Sequence, residues 1–94
     1  MYQTASITGI KTETFHKVIL ELKEEDWKVS YTYDGFDKGI DYDRIDLVND
    51  GIKLKFEWDN WFEGVIEGPE KLLGALSRRY GLKPPGPVEK AAER

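Results

Sequence analysis

Chemistry at a protein site draws on a small set of side chains, and this sequence offers few of them in productive company. His16 is the only histidine and cysteine is absent, so no thiolate zinc site, thiol nucleophile or disulfide can form. With no second imidazole to share a metal, His16 reads as an ordinary helix-surface residue. Ser6, Ser30 and Ser77 stand outside any Gly-x-Ser-x-Gly elbow, and neither a phosphate-cradling glycine loop nor a dinucleotide fingerprint occurs. Carboxylates are plentiful and could supply a glycosidase-type acid/base pair, but any acidic protein of this size contains such pairs. Asp34, Asp37, Asp41 and Asp43 crowd around Gly35 and Gly39, a composition able to offer oxygen ligands to calcium. An EF-hand loop counted from Asp41 puts Ile45 and Asp46 where an acid and a glycine are required. The cluster therefore reads as turn chemistry. No cofactor and no metal is expected, and the protein is expected not to be an enzyme.

What remains is aromatic. Trp58-Asp59-Asn60-Trp61-Phe62, followed by Val65, forms a corner that no simple strand pattern absorbs. A two-residue turn at Asp59-Asn60 pairs Trp58 with Trp61 on the core face but turns Glu63 and Glu67 inward. A longer loop instead puts Phe62 and Ile66 on the core side, Trp61 at the tip and Val65 outside. Either register leaves a large apolar group exposed, and exposed tryptophans are enriched at binding hot spots. Trp58, Asp59, Asn60, Trp61, Phe62 and Val65 are therefore the candidate binding residues.

The charge balance restricts the partners. Eighteen acids against fourteen bases give a net charge of −4, which argues against a general grip on nucleic acid by phosphate neutralisation. The acids concentrate between residues 34 and 67 and the bases after residue 68. Lys53 and Lys55 share one strand face and Arg78 and Arg79 end a helix, and neither pair makes a basic stripe with interleaved aromatics. No apolar run reaches the roughly 18 to 20 residues of a membrane-spanning helix, and no basic-then-apolar leader opens the chain. No membrane or nucleic-acid partner is expected, and the default location is the cytoplasm.

These residues need elements to position them. Gln3 to Thr8 is rich enough in β-branched and small residues for a short strand stopped by Gly9. Phe15, Val18, Ile19 and Leu22 fall on one helix face and predict a helix from Thr12 to about Glu25, with Thr12 or Thr14 capping it. A strand in which His16, Val18, Leu20 and Leu22 alternate is the competing reading. Trp27 to Tyr33 alternates large and polar residues, Tyr42 to Val48 reads as a strand, and Asn49-Asp50-Gly51 turns the chain into Ile52 to Trp58. Trp61 to Glu67 is the last strand of the meander. Pro69 opens a second helix carrying Leu72, Leu73, Leu76 and Tyr80, which Gly81 ends.

The expected fold is α+β, a four- (possibly five-) stranded antiparallel meander with an N-terminal and a C-terminal helix packed on one face. At 94 residues and 39% apolar composition the chain is one compact domain, placed at residues 1–82. Residues 83–94, opening Lys83-Pro84-Pro85-Gly86-Pro87, read as a disordered tail outside it, and deletion of residues 84–94 is expected to leave thermal stability nearly unchanged. The expected core is Phe15, Val18, Ile19, Leu22, Trp27, Val29, Tyr31, Ile45, Leu47, Ile52, Leu54, Phe56, Leu72, Leu73 and Leu76. The expected function is a small soluble protein-interaction module, an adaptor, inhibitor or regulatory subunit, binding a protein partner or a second copy of itself as a homodimer. Two other readings stand beside it: a small-molecule or carbohydrate binder stacking on Trp58 and Trp61, and a carboxylate-dependent small enzyme.

Overall fold

The computed structural model of the protein describes residues 4–32, 42–59 and 63–87. Its elements are β1 (Thr4–Ile10), α1 (Thr12–Glu24), β2 (Lys28–Thr32), β3 (Tyr42–Asn49), β4 (Ile52–Asp59), β5 (Glu63–Pro69), α2 (Glu70–Tyr80) and β6 (Gly86–Pro87). The strands form one sheet in the order β2-β3-β4-β5-β1-β6, every neighbouring pair antiparallel. The α+β class and the β2-to-β5 meander agree with expectation. The strand expected at Gln3 to Thr8 is β1, which runs past Gly9 to Ile10 and pairs with the outer side of β5; β6, beside β1, lies beyond expectation.

Core formation follows from alternation. Cross-strand pairs Ile7–Ile66, Phe56–Ile66, Ile45–Phe56 and Leu47–Leu54 put one set of side chains on a common face. Against it lie Phe15, Val18, Ile19 and Leu22 of α1 and Leu73 and Leu76 of α2, all buried. Bulges adjust the pattern where alternation alone would fail. In β1 the register slips between Ile7 and Ile10, with Gly9 at φ 67°, a backbone geometry that glycine adopts without a Cβ penalty. Ile7 and Ile10, an odd and an even position, thereby both reach the core.

The opposite happens in β2. Its register slips between Val29 and Tyr31, so these two residues point to different faces although their spacing predicts a shared one. Both are exposed, at 42% and 45%, because β2 is an outer strand. Val29 and Tyr31 must therefore be removed from the expected core, while Ala5, Ile7, Ile10 and Ile66 join it. Trp27, Ile45 and Leu72 are only partly buried against it.

Helix ends differ slightly from the sequence expectation. Lys11 occupies the N-cap of α1 without a side-chain cap, and the Thr12 hydroxyl instead accepts a hydrogen bond from the Trp58 indole. Both helices close with the N–H of the second residue beyond the cap bonded five residues back, Trp27 to Leu22 and Leu82 to Ser77. The left-handed residue this requires is Gly81 in α2 and Asp26 in α1.

The chain stays on the domain past residue 83. Pro87 and Gly86 pair with Ala5 and Ser6, so the boundary expected at residue 82 does not describe residues 83–87; residues 88–94 lie outside the described residues. No helix among the described residues is long and apolar enough to cross a membrane.

Candidate functional site

The hairpin between β4 and β5 decides where the aromatic corner stands. Asp59 pairs with Glu63 and Trp58 with Gly64, so the connection is the longer loop and not the two-residue turn. Asn60, Trp61 and Phe62 fall between the paired residues and lie outside the described residues. Glu63 re-enters the ladder at φ 59°, a region that a side-chain-bearing residue occupies with strain. This register puts Ile66 wholly in the core and turns Val65 to the face away from the helices, where it sits half-buried opposite Glu57.

Trp58, next to last in β4, belongs to the helix-facing side of the sheet. It packs partly buried against the core, and its Nε1–H donates to Thr12 Oγ1 at 3.1 Å. A tryptophan has one donor, and here it ties the end of β4 to the first residue of α1. Gly64, directly across from Trp58, is required by closeness. A Cβ there would stand 2.6 Å from Phe15 Cδ1 and 2.9 Å from the Ile10 carbonyl oxygen. Helix α1 thus rests almost on the backbone at the base of the hairpin, and the corner is held from beneath.

The sheet face away from the helices is built of charge. Arg44, Asp46 and Val48 project from β3, Lys53, Lys55 and Glu57 from β4, and Val65 and Glu67 from β5. Asp46 is the exception to the expected solvated surface, being 1% exposed. Arg44 covers it with a two-pronged bond, Nε to Oδ1 at 3.0 Å and Nη2 to Oδ2 at 2.9 Å. The guanidinium in turn lies over the exposed Tyr31 ring at 4.8 Å. Sequence reasoning missed this assembly. An Arg-x-Asp pair on the polar side of a strand is legible, but its burial depends on the bulge that swings Tyr31 over to that side.

Beside Asp46 a shallow groove of about 330 Å³ is lined by Arg44, Lys53, Lys55 and Glu67, with Thr4 and Pro69 at its end. Its cations already face carboxylates. Lys55 stands 3.3 Å from Glu67 and 3.7 Å from Glu57, and Lys53 stands 3.9 Å from Asp46. Three bases thus meet three acids, which leaves no surplus positive charge for an anionic ligand.

The helices are clamped to each other by a second polar group. Arg79 of α2 donates to Glu25 at 2.6 and 3.2 Å and to Glu21 at 3.4 Å, and the Tyr80 hydroxyl donates to Glu21 at 2.6 Å. Hydrogen bonding to Arg79 holds the Glu25 carboxyl below its ordinary range. Burial, reinforced by the bond to Glu21, pushes the Tyr80 phenol up to about 12. These contacts tie the two helices together.

Among the described residues no group of three or more histidines, cysteines or carboxylates could hold a metal ion. Asp43 is exposed on β3, while Asp34, Asp37 and Asp41 lie outside the described residues. His16 is exposed on α1, its ring 5.7 Å from that of Phe15. Comparison with protein families, with curated proteins and with solved structures finds no match for this chain.

Proposed function

We propose that the protein is a small non-enzymatic interaction module that docks a protein partner through the hairpin joining β4 and β5. The observation that carries this reading is the position of Val65. It is an apolar side chain on the face that neither helix covers, opposite Glu57 and beside the pairing of Asp59 with Glu63. The intervening Trp61 and Phe62 extend the same segment in sequence. An apolar centre with a carboxylate rim suits a partner surface that presents an apolar side chain among lysines or arginines. Trp58 counts against a carbohydrate-stacking platform, because its ring packs on the core and its donor is occupied by Thr12.

Affinity capture from cells that make the protein tests the reading, with Val65→Glu and Trp61→Ala as variants. A discrete protein retained by wild type and lost from both variants is expected, with each variant keeping the wild-type circular dichroism. Equal capture by all three, or capture that salt leaves unchanged, would overturn it. Sedimentation of the same samples reports whether the partner is a second copy of this chain.

A further inference from the structure

The two outer sides of the sheet are protected by different means. β2 carries its own protection: Lys28 places a charge on it, and the bulge between Val29 and Tyr31 breaks its regularity. Both devices discourage an edge from pairing with another chain. β1 has neither device where it matters. From Thr4 to Ile10 it contains no charged residue, and its bulge comes only after the regular stretch Thr4-Ala5-Ser6-Ile7. Such a stretch is a template for a further strand unless something occupies it.

Something does occupy it. Pro87 and Gly86 pair with Ala5 and Ser6, and the Ser6 hydroxyl lies 3.5 Å from the Pro87 carbonyl oxygen. The covering segment is fixed upstream, where the Ser77 hydroxyl lies 2.9 Å from the Leu82 carbonyl oxygen and 3.0 Å from that of Lys83. Farther along β1, where β6 no longer pairs, the Lys83 side chain lies over Gly9, close enough that a Cβ there would stand 3.0 Å from Nζ. Lys83 thus brings to β1 the charge that β1 lacks. The segment itself is a poor template, since Pro84, Pro85 and Pro87 have no N–H to offer a further strand.

We infer that Pro84 to Pro87 is an edge guard: it keeps β1 from pairing with β1 of a second copy, and its displacement opens a self-complementary edge that a second copy fills. A second copy is the fitting occupant because an antiparallel β1–β1 pair sets no charge against a like charge. It also continues the sheet with the same strand spacing.

Sedimentation velocity on three chains tests the guard: the full chain, a chain ending at Pro87, and a chain ending at Lys83. Hydrogen exchange at Ser6 to Thr8 accompanies each. The full chain and the chain ending at Pro87 stay monomeric through β1. The chain ending at Lys83 forms a dimer with protected β1 amides, and adding Thr4→Lys, which places a charge on the edge, weakens that dimer about tenfold or more. A folded chain ending at Lys83 that remains monomeric at every concentration overturns the inference, as does equal dimerisation of all three. Should that chain fail to fold, Gly86→Pro in the full chain removes the one N–H that β6 can offer while leaving the rest in place. Dimerisation of that variant upholds the guard, and loss of its cooperative unfolding makes the segment part of the core and ends the proposal.

Discussion

Replacing Gly64 with alanine should loosen the domain at the base of the proposed docking hairpin, and the size of the effect follows from three distances. The added methyl would stand 2.6 Å from Phe15 Cδ1, 2.9 Å from the Ile10 carbonyl oxygen and 3.1 Å from Ile10 Cβ. Carbon atoms are comfortable at about 3.5 to 4.0 Å, so ring and backbone must both retreat by roughly half an ångström or more. Neither is free to do so. Phe15 is 3% exposed and packs edge-on against Phe56 at 5.9 Å, while the Ile10 oxygen belongs to a strand paired with Gly64 itself. Overpacking costs about 1 to 3 kcal/mol, and contacts as short as 2.6 and 2.9 Å place this site in the upper part of that range, about 2 to 3 kcal/mol. Alanine recovers about 0.5 to 1 kcal/mol of the backbone freedom that glycine loses in a strand. A net loss of about 1 to 2 kcal/mol corresponds to a Tm roughly 5 to 15 °C lower for a domain this size. Urea unfolding followed by tryptophan fluorescence, with a parallel thermal melt, reads both quantities. Phe15→Leu made in the Gly64→Ala background should restore part of the loss, giving a coupling of about 0.5 to 1 kcal/mol. A Gly64→Ala variant within about 0.5 kcal/mol of wild type, the usual spread for unstrained surface changes, would refute the close approach of α1 to the hairpin.

Two further outcomes rest on the polar groups. Arg44→Met should cost more than Arg44→Ala, about 3 kcal/mol against about 1. Methionine keeps Asp46 covered and takes away its charged partner, whereas alanine lets water reach the carboxylate; denaturant midpoints in the reverse order would show that Asp46 is not held under the Arg44 side chain. The Tyr80 phenol, pushed up to about 12 from its ordinary value of 10.0, holds its proton more tightly in the folded chain than in the unfolded one. Its contribution to stability is complete below about pH 10 and is lost as the pH rises towards about 12. Alkaline titration of tyrosine absorbance should lose its highest component in Tyr80→Phe, and an unchanged curve would count against the bond to Glu21.

Both helices are legible in the sequence because their apolar residues repeat at helical spacing, and Gly81 supplies the stop that α2 uses. The hairpin from β3 to β4 is equally plain, since Asp50-Gly51 favours the tight turn and the alternation on either side is unbroken. The failures have a common cause. A bulge changes which residues share a face without changing the sequence pattern around it, so Tyr31 leaves the core while Ile10 enters it. Burial also depends on a strand's place in the sheet, and nothing in Lys28 to Thr32 says that it lies at an edge. The pairing of Gly86–Pro87 with β1 is hidden for the opposite reason: a two-residue strand containing proline carries no periodicity at all. At the candidate site, the choice between a short and a long loop could not be made from alternation, because both faces of Trp61 to Ile66 carry apolar residues. The register Asp59–Glu63 makes that choice.

That same register separates the two ends of the uncovered sheet face, and the separation argues for one docking place over another. Towards the turn at Asp50-Gly51 the face carries Lys53 and Lys55, and their contacts with Asp46, Glu57 and Glu67, together with that of Arg44 with Asp46, close the groove into a balanced set of ion pairs. The lysine pairs, at this exposure, add little stability, about 0 to 1 kcal/mol each, but a ligand binding there must first break them and so gains little charge attraction. Towards the hairpin the composition changes: Val65 stands opposite Glu57, and the ladder ends in the pair Asp59–Glu63 with Glu63 exposed. A cationic partner approaching this end meets the field of the exposed Glu63 carboxylate and an apolar contact together, whereas at the other end it meets carboxylates already paired with bases. The field governs how fast such a partner arrives and the apolar contact how long it stays. Val65→Ala should therefore raise the dissociation rate and leave association nearly untouched, while a charge reversal at Glu63 should slow association in a salt-dependent way. If both variants changed only the association rate, Val65 would be a bystander on the rim and the docking centre would have to lie elsewhere on the molecule.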